Sequence, residues 1–231
     1  MHRVTNCCAY VNEIMKILAS EKIAAYSHCA TIPIIAIGSL VLVLLSRGGV
    51  SIQVVSLIYG LSGIFLFSAS FMYHAKKQME NDKTIWRKLD HTAIFFLIAG
   101  TYTPLCLLYL DGKMRWGILI AQWSLVVLGT LFKFLFINAP RVLGTIVYLL
   151  MGWLVLVPIV TLVKIMPRTA FVFLVAGGLS YTIGAIIYAC KKPNPWPGFF
   201  GFHEIFHLFV SGGAILHLVM LLYGVSHYFR S

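Results

Sequence analysis

The stretch SIQVVSLIYGLSGIFLFSASFMYHA, from Ser51 to Ala75, contains no Asp, Glu, Lys or Arg. A helix needs about 20 predominantly apolar residues to cross a lipid bilayer, so this stretch is long enough to do so. Similar apolar runs recur along the chain and give seven predicted spans: residues 24–46, 51–75, 91–110, 115–137, 142–163, 169–190 and 203–228. We therefore predict an all-α membrane protein, a bundle of seven transmembrane helices.

The composition of the whole chain supports this fold class. Of its 231 residues, 60% are hydrophobic and only 11% are charged, whereas about a quarter are charged in a typical soluble domain. The net charge of +11 comes from basic residues scattered between the apolar runs, without a nucleic-acid-binding motif, as in loops that flank a membrane. We expect membrane lipids as partners and no nucleic acid. The predicted location is the plasma or inner membrane, as a multi-pass protein.

The chain is predicted to have two parts. Residues 1–22 form an N-terminal cytoplasmic segment with an amphipathic helix on the membrane surface, and residues 23–231 form the seven-helix domain. With seven spans the termini lie on opposite sides. Twelve of the 18 Lys and Arg residues then share the side of the N-terminus, which predicts a cytoplasmic N-terminus and an outside C-terminus. Lys133, near the end of its span, is expected to extend toward the interface.

Polar residues at membrane depth carry the functional signal, because burying them in lipid is costly. The second span ends on the N-terminal side of the membrane, and the third and seventh begin there. Six polar residues of these spans are thereby predicted at one membrane level: Ser70, His74, Asp90, His91, His203 and His207.

Three of these side chains predict a metal site. Imidazoles from His74, His203 and His207 would give the three protein ligands of a catalytic zinc, with a fourth position open for water. Asp90 is expected either to accept a hydrogen bond from that water or to support a ligating imidazole. Ser70, one helical turn before His74, is expected to contact the substrate or the water. His28 is at the same level and is interpreted as packing or as support for a ligand.

The segment HEIFH, from His203 to His207, also matches the H-E-x-x-H signature of zinc proteases. In that signature the glutamate activates water, which would make Glu204 the general base. The extended form of the motif fails, since Val210 and Gly213 occupy its Gly and third His positions. A third ligand must therefore come from upstream, and we expect HEIFH to supply two ligands of a larger site.

Three segments carry a resemblance to a known family: SFMYH at Ser70–His74, LDHTAIFFLIAGTYTP at Leu89–Pro104 and PNPWPGFFGFHEIFHLFV at Pro193–Val210. On these segments the chain resembles the hemolysin III family, within the progestin and adipoQ receptor group. That group includes the adiponectin receptors and is similar to the alkaline ceramidases. The resemblance implies a seven-helix bundle with a zinc on the cytoplasmic side. It also implies that His74, His203 and His207 bind the zinc and that Asp90 holds the zinc-bound water. Ser70 matches the serine of the S-x-x-x-H motif.

The predicted function is that of a zinc-dependent hydrolase acting on a lipid amide, such as a ceramide-like substrate. Zinc would polarise the amide carbonyl and Asp90 would take the proton of the water. An apolar bundle interior suits an acyl chain, so a lipid amide or a fatty acid is the expected ligand. Two alternatives stay open, each with a structural zinc: a pore-forming, hemolysin-like protein and a lipid-sensing, receptor-like protein.

Overall fold

The computed structural model describes residues 2–46, 49–77, 84–136 and 138–230, and the side chains of all of these except residues 2–20 and 141. No β-strand occurs in these ranges. Their helices follow one another along the chain as α1 (His2–Leu45), α2 (Val50–Lys76), α3 (Ile85–Tyr109), α4 (Gly112–Leu135), α5 (Arg141–Trp153), a 3-10 turn (Leu154–Leu156), α6 (Ile159–Ile165), α7 (Arg168–Cys190) and α8 (Phe202–Tyr228).

Six helical segments are long and apolar enough to cross a membrane. A seventh span results if residues 142–156 and 159–165, which are bent by 53° relative to each other, are counted as one broken span. The bend has a local cause, because Pro158 has no N–H to continue the helical hydrogen bonds. The prediction of an all-α, multi-pass membrane protein is thus confirmed, while the direction in which it crosses the membrane stays a prediction.

The N-terminal segment is helical and joins the first span without a break. α1 begins at His2, and its membrane-spanning part runs from Glu21 to Leu45. The amphipathic character predicted for residues 1–22 depends on side chains of residues 2–20 that lie outside the described ones. The surface location of this segment therefore stays a prediction.

The spans pack as a ring. α1 contacts α2 and α8, α2 contacts α3, and α7 contacts α8, while α5 closes the ring by contacting α3 and α7. α4 packs on α3. Small residues allow neighbouring helices to pack closely. At Gly60 on α2, for example, a Cβ atom would lie only 2.6 Å from Ser39 Cβ on α1. The predicted polar residues lie at ends of α2, α3 and α8, and the ring arranges these ends around its interior.

Candidate metal centre

Three histidines from two helices meet inside this ring. His203 and His207 lie one turn apart on α8, so their side chains share a face, and His74 approaches them from the end of α2. One ring nitrogen of each histidine lies within 4.8 Å of the corresponding nitrogen of the other two. His203 Nε2 is 3.2 Å from His207 Nε2. The structure thus brings together the three residues predicted from sequence as metal ligands.

The arrangement fits a zinc ion. Two nitrogens bound to one tetrahedral zinc at 2.0–2.1 Å lie about 3.3 Å apart, close to the separation of the two α8 nitrogens. His74 Nε2 is buried and has no hydrogen-bond partner among the described residues. A buried polar atom without a partner is costly, and a metal ion would satisfy it. Three neutral imidazoles are a typical donor set for catalytic zinc.

A carboxylate holds the opposite side of the His74 ring. Glu21 Oε2 lies 2.5 Å from His74 Nδ1, and Glu21 Oε1 lies 2.5 Å from Lys77 Nζ. Glu21 is only 7% exposed. Because the Nδ1 proton is used in the bond to Glu21, Nε2 keeps its lone pair for a metal, as in the carboxylate–histidine–zinc arrangement.

Sequence reasoning missed the role of Glu21, which lies within the predicted N-terminal segment of residues 1–22. A signal was available, since Glu21 stands at the start of the first span and therefore at the membrane level of His74. That level is shared by every residue at the N-terminal side of the bundle. What the sequence does not show is that α1 is the lateral neighbour of α2.

His28, also on α1, supports the other side of the cluster. Its Nε2 lies 2.9 Å from His207 Nδ1, so the second nitrogen of His207 is also engaged. The His28 ring is 3% exposed and packs edge-on against Phe67. The structure shows that this side chain packs, and it places His28 against His207. Its support of a metal ligand stays a prediction. α1 thus contacts the ring nitrogens of His74 and His207 that point away from the cluster.

Glu204 has a different neighbour from the one that the protease motif requires. Its Oε2 accepts a hydrogen bond of 2.6 Å from the backbone N–H of Gly201. Gly201 is the N-cap of α8 and Glu204 its third residue, so this contact is the glutamate half of a capping box. The carboxylate is buried with 3% exposure. Capping accounts for the glutamate of HEIFH without a catalytic role.

The remaining predicted site residues, Ser70 and Asp90, line a cavity of about 710 Å³ that His203 and His207 also line. Ser70 is 1% exposed, and its Oγ has no hydrogen-bond partner within the described ranges. Asp90 Oδ2 lies 3.6 Å from Nδ1 of the adjacent His91. The histidine cluster thus borders a space in which a polar hydroxyl and a carboxylate are also available.

The cavity extends from this polar end into the bundle between α3, α5, α7 and α8. Its walls there are mainly aliphatic and include Leu97, Leu105, Leu149, Leu174 and Val210. Such a space accommodates an extended apolar group of a ligand, while the polar end receives a reactive or charged group.

Comparisons with known proteins identify relatives of this chain. The sequence model of the family described as "Haemolysin-III related" matches residues 17–218. The chain is 35% identical over 195 residues to Hemolysin-3 of Bacillus cereus, covering 83% of this chain and 86% of that protein. It is 37% identical over 175 residues to a Hemolysin-3 homolog of Bacillus subtilis (strain 168), covering 75% and 79%. It is 28% identical over 204 residues to an adiponectin receptor protein of Drosophila melanogaster, covering 75% of this chain and 44% of that protein.

Proposed function

The chain belongs to the hemolysin III family, and from this premise we propose that it is a zinc-binding membrane hydrolase that cleaves a lipid amide of the ceramide type. The observation that carries the proposal is the cluster of His74, His203 and His207, with ligand nitrogens within 4.8 Å of one another. The cluster stands at the polar end of a cavity that reaches into the apolar interior. A water-soluble substrate would not need a cavity that reaches into the apolar interior.

In this proposal each of the five predicted site residues has a task. His74, His203 and His207 hold a zinc ion, which supplies a Lewis acid that polarises a carbonyl and acidifies water. Asp90 accepts the proton from the attacking water, because it is the carboxylate of the cavity that is not engaged by a helix cap or by His74. Ser70 uses its unpartnered hydroxyl to hydrogen-bond the amide group of the substrate.

The apolar walls argue for a lipid rather than a peptide. An acyl chain buried in the cavity gains about 0.8 kcal/mol for each CH₂ group removed from water, which gives the site its preference for long chains. The scissile amide then lies at the polar end, where the carboxylate and hydroxyl are found. A protease would instead need Glu204 as its base, and that carboxylate caps α8.

The first experiment measures the metal content of the protein purified in a neutral detergent. We expect about one zinc per chain in the wild type and a loss of zinc in the His203→Ala variant. Asp111→Asn is the matched control, since Asp111 pairs with Arg115 on an exposed surface and its side chain is 96% exposed. A wild-type protein that purifies without zinc and does not take it up would refute the metal half of the proposal.

The second experiment measures turnover of a panel of ceramide-like lipid amides by the zinc-loaded protein. Asp90→Asn should retain zinc and lose at least about two orders of magnitude in rate, which is the usual contribution of a general base. The control is again Asp111→Asn. Stoichiometric zinc without hydrolysis of any lipid amide would exclude the hydrolase and leave a structural zinc in a pore or a lipid sensor.

A further inference from the structure

Two cations at the polar end of the cavity form no ion pair with an acidic residue in the described ranges. Arg87 on α3 and Lys133 on α4 both line the cavity, and Lys133 is only 3% exposed. Within the part of the chain that the structure describes, neither lies within 4.0 Å of a carboxylate oxygen. Over the same ranges Arg87 Nη1 is inaccessible and has no hydrogen-bond partner. The expectation that Lys133 extends toward the interface is therefore wrong.

The helix packing holds the Lys133 amine inside the ring. A Cβ at Gly144 would lie 2.9 Å from Lys133 Nζ, so the absence of a side chain there makes room for the amine. Nζ also lies 5.8 Å from the centre of the Tyr148 ring. Tyr148 is fixed in turn, because its hydroxyl donates a hydrogen bond of 2.9 Å to the carbonyl oxygen of His91. We call Arg87, Lys133, Gly144 and Tyr148 the basic corner.

Two of the three described carboxylates that line the cavity are engaged elsewhere, since Glu21 contacts His74 and Lys77 and Glu204 caps α8. The third, Asp90, lies 3.6 Å from His91 and forms no ion pair with Arg87 or Lys133 among the described residues. A buried cation without a counter-charge is costly. The basic corner thus has two cationic groups without an ion pair within 4.0 Å among the described residues, and an oxyanion ligand would supply one.

We propose that the basic corner binds the oxyanion headgroup, a phosphate or a sulfate, of a single-chain amphiphile whose tail lies along the apolar wall of the cavity. Arg87 presents a planar donor fork and Lys133 a point charge, which together suit a tetrahedral oxyanion. The corner involves α3, α4 and α5, whereas the histidine cluster involves α2 and α8. Binding is independent of catalysis, and only the further step of identifying this amphiphile as the substrate rests on the proposed function.

The test uses the full chain in a neutral maltoside detergent, with metal removed by a chelator. Titration calorimetry compares decyl phosphate with decanol, which has the same tail and no charge. We expect saturable binding of decyl phosphate and at least about tenfold weaker binding of decanol, because hydrogen bonds to charged groups contribute about 1.5–3 kcal/mol. Equal binding of the two compounds would overturn the proposal without the use of any variant.

Three variants locate the binding site. Arg87→Gln and Lys133→Met should each weaken the binding of decyl phosphate by about tenfold or more. Gly144→Ala should also weaken this binding, although both charges remain. The matched control is Lys88→Gln, since Lys88 lies over the Phe134 ring and does not line this cavity. Each variant is first checked for monodisperse elution. Wild-type affinity in folded Arg87→Gln and Lys133→Met proteins would overturn the proposal.

Two further arms separate the basic corner from other anion sites. Binding that requires zinc, and is lost in His203→Ala, would assign the anion to the metal and overturn the proposal. Inorganic phosphate that displaces decyl phosphate would show that the corner also accepts a free oxyanion, whereas failure to displace it would assign the corner to amphiphiles; both support recognition of the headgroup. Headgroup binding without turnover of lipid amides would support this inference and refute the proposed hydrolase activity. Turnover of a lipid amide together with equal binding of decyl phosphate and decanol would support the hydrolase activity and refute this inference.

Discussion

Replacing Glu21 by glutamine is the most direct test of how α1 supports the metal centre. Glu21 is nearly isosteric with glutamine, so the substitution removes the negative charge and changes the packing little. The carboxylate now holds His74 Nδ1 and Lys77 Nζ at 2.5 Å each. In its place glutamine offers the His74 ring one neutral amide oxygen, a weaker acceptor that fixes the tautomer and orientation of the ring less firmly.

The size of the effect follows from the role of such carboxylates in known metal sites. Mutation of an outer partner of a ligating histidine costs about 10–100-fold in metal affinity, or about 1.4–2.7 kcal/mol of binding free energy. We expect the upper half of this range, since Glu21 is 7% exposed and solvent competes little for the histidine proton. Glu21→Gln should therefore bind zinc about 30–100-fold more weakly than the wild type.

The assay is competition for zinc with a chromogenic chelator, using protein that elutes as a single species. Asp111→Asn serves as the control, because it removes a carboxylate from an ion pair of 2.7 Å with Arg115 on an exposed surface. That variant should bind zinc as the wild type does. A folded Glu21→Gln protein with wild-type zinc affinity would refute the reasoning that this carboxylate orients His74.

Three other predictions concern stability, measured as the thermal unfolding midpoint in detergent. Gly177→Ala should destabilise by about 1–3 kcal/mol because its methyl group would overlap the ring of His217, whereas Gly178→Ala, with open space around its Cβ, should be close to neutral. Tyr59→Phe should cost about 1 kcal/mol, since the hydroxyl donates a buried hydrogen bond of 2.8 Å to Ala214 O; an unchanged midpoint would contradict this. Chelation of zinc from the loaded protein should lower the midpoint, because a ligand bound only to the folded state stabilises it; equal midpoints with and without zinc would refute binding at the cluster.

The membrane spans were predictable because their signal is local. Each apolar run carries its own evidence for a helix of bilayer length. The structure reproduces six of the spans with shifts of at most six residues at their ends, and the predicted span 142–163 is bent by 53° near Pro158. The level of the polar residues was predictable too, since the order of the spans alone decides which ends share a side of the membrane. His74, from the end of α2, and the pair on α8 were therefore expected at one level, but that level alone did not predict that they would meet.

Lateral packing was not predictable in the same way. A charged residue at the end of a span has the same local sequence whether it reaches water or faces a neighbouring helix. Glu21 packs against His74 because α1 adjoins α2, and Lys133 is buried because Gly144 leaves room for its amine. Both outcomes depend on residues far away in the sequence, so hydropathy and spacing carry no information about them.

The contact between His28 and His207, which are 179 positions apart in the chain, has a consequence for biogenesis. The first span emerges from the ribosome long before the last, yet the site needs both. A nascent chain that has inserted everything up to α7 already contains most of the bundle, but it holds only one of the three clustered histidines. In the proposed function, the three zinc ligands would therefore come together only once α8 has joined the bundle, so zinc loading would follow the insertion of α8.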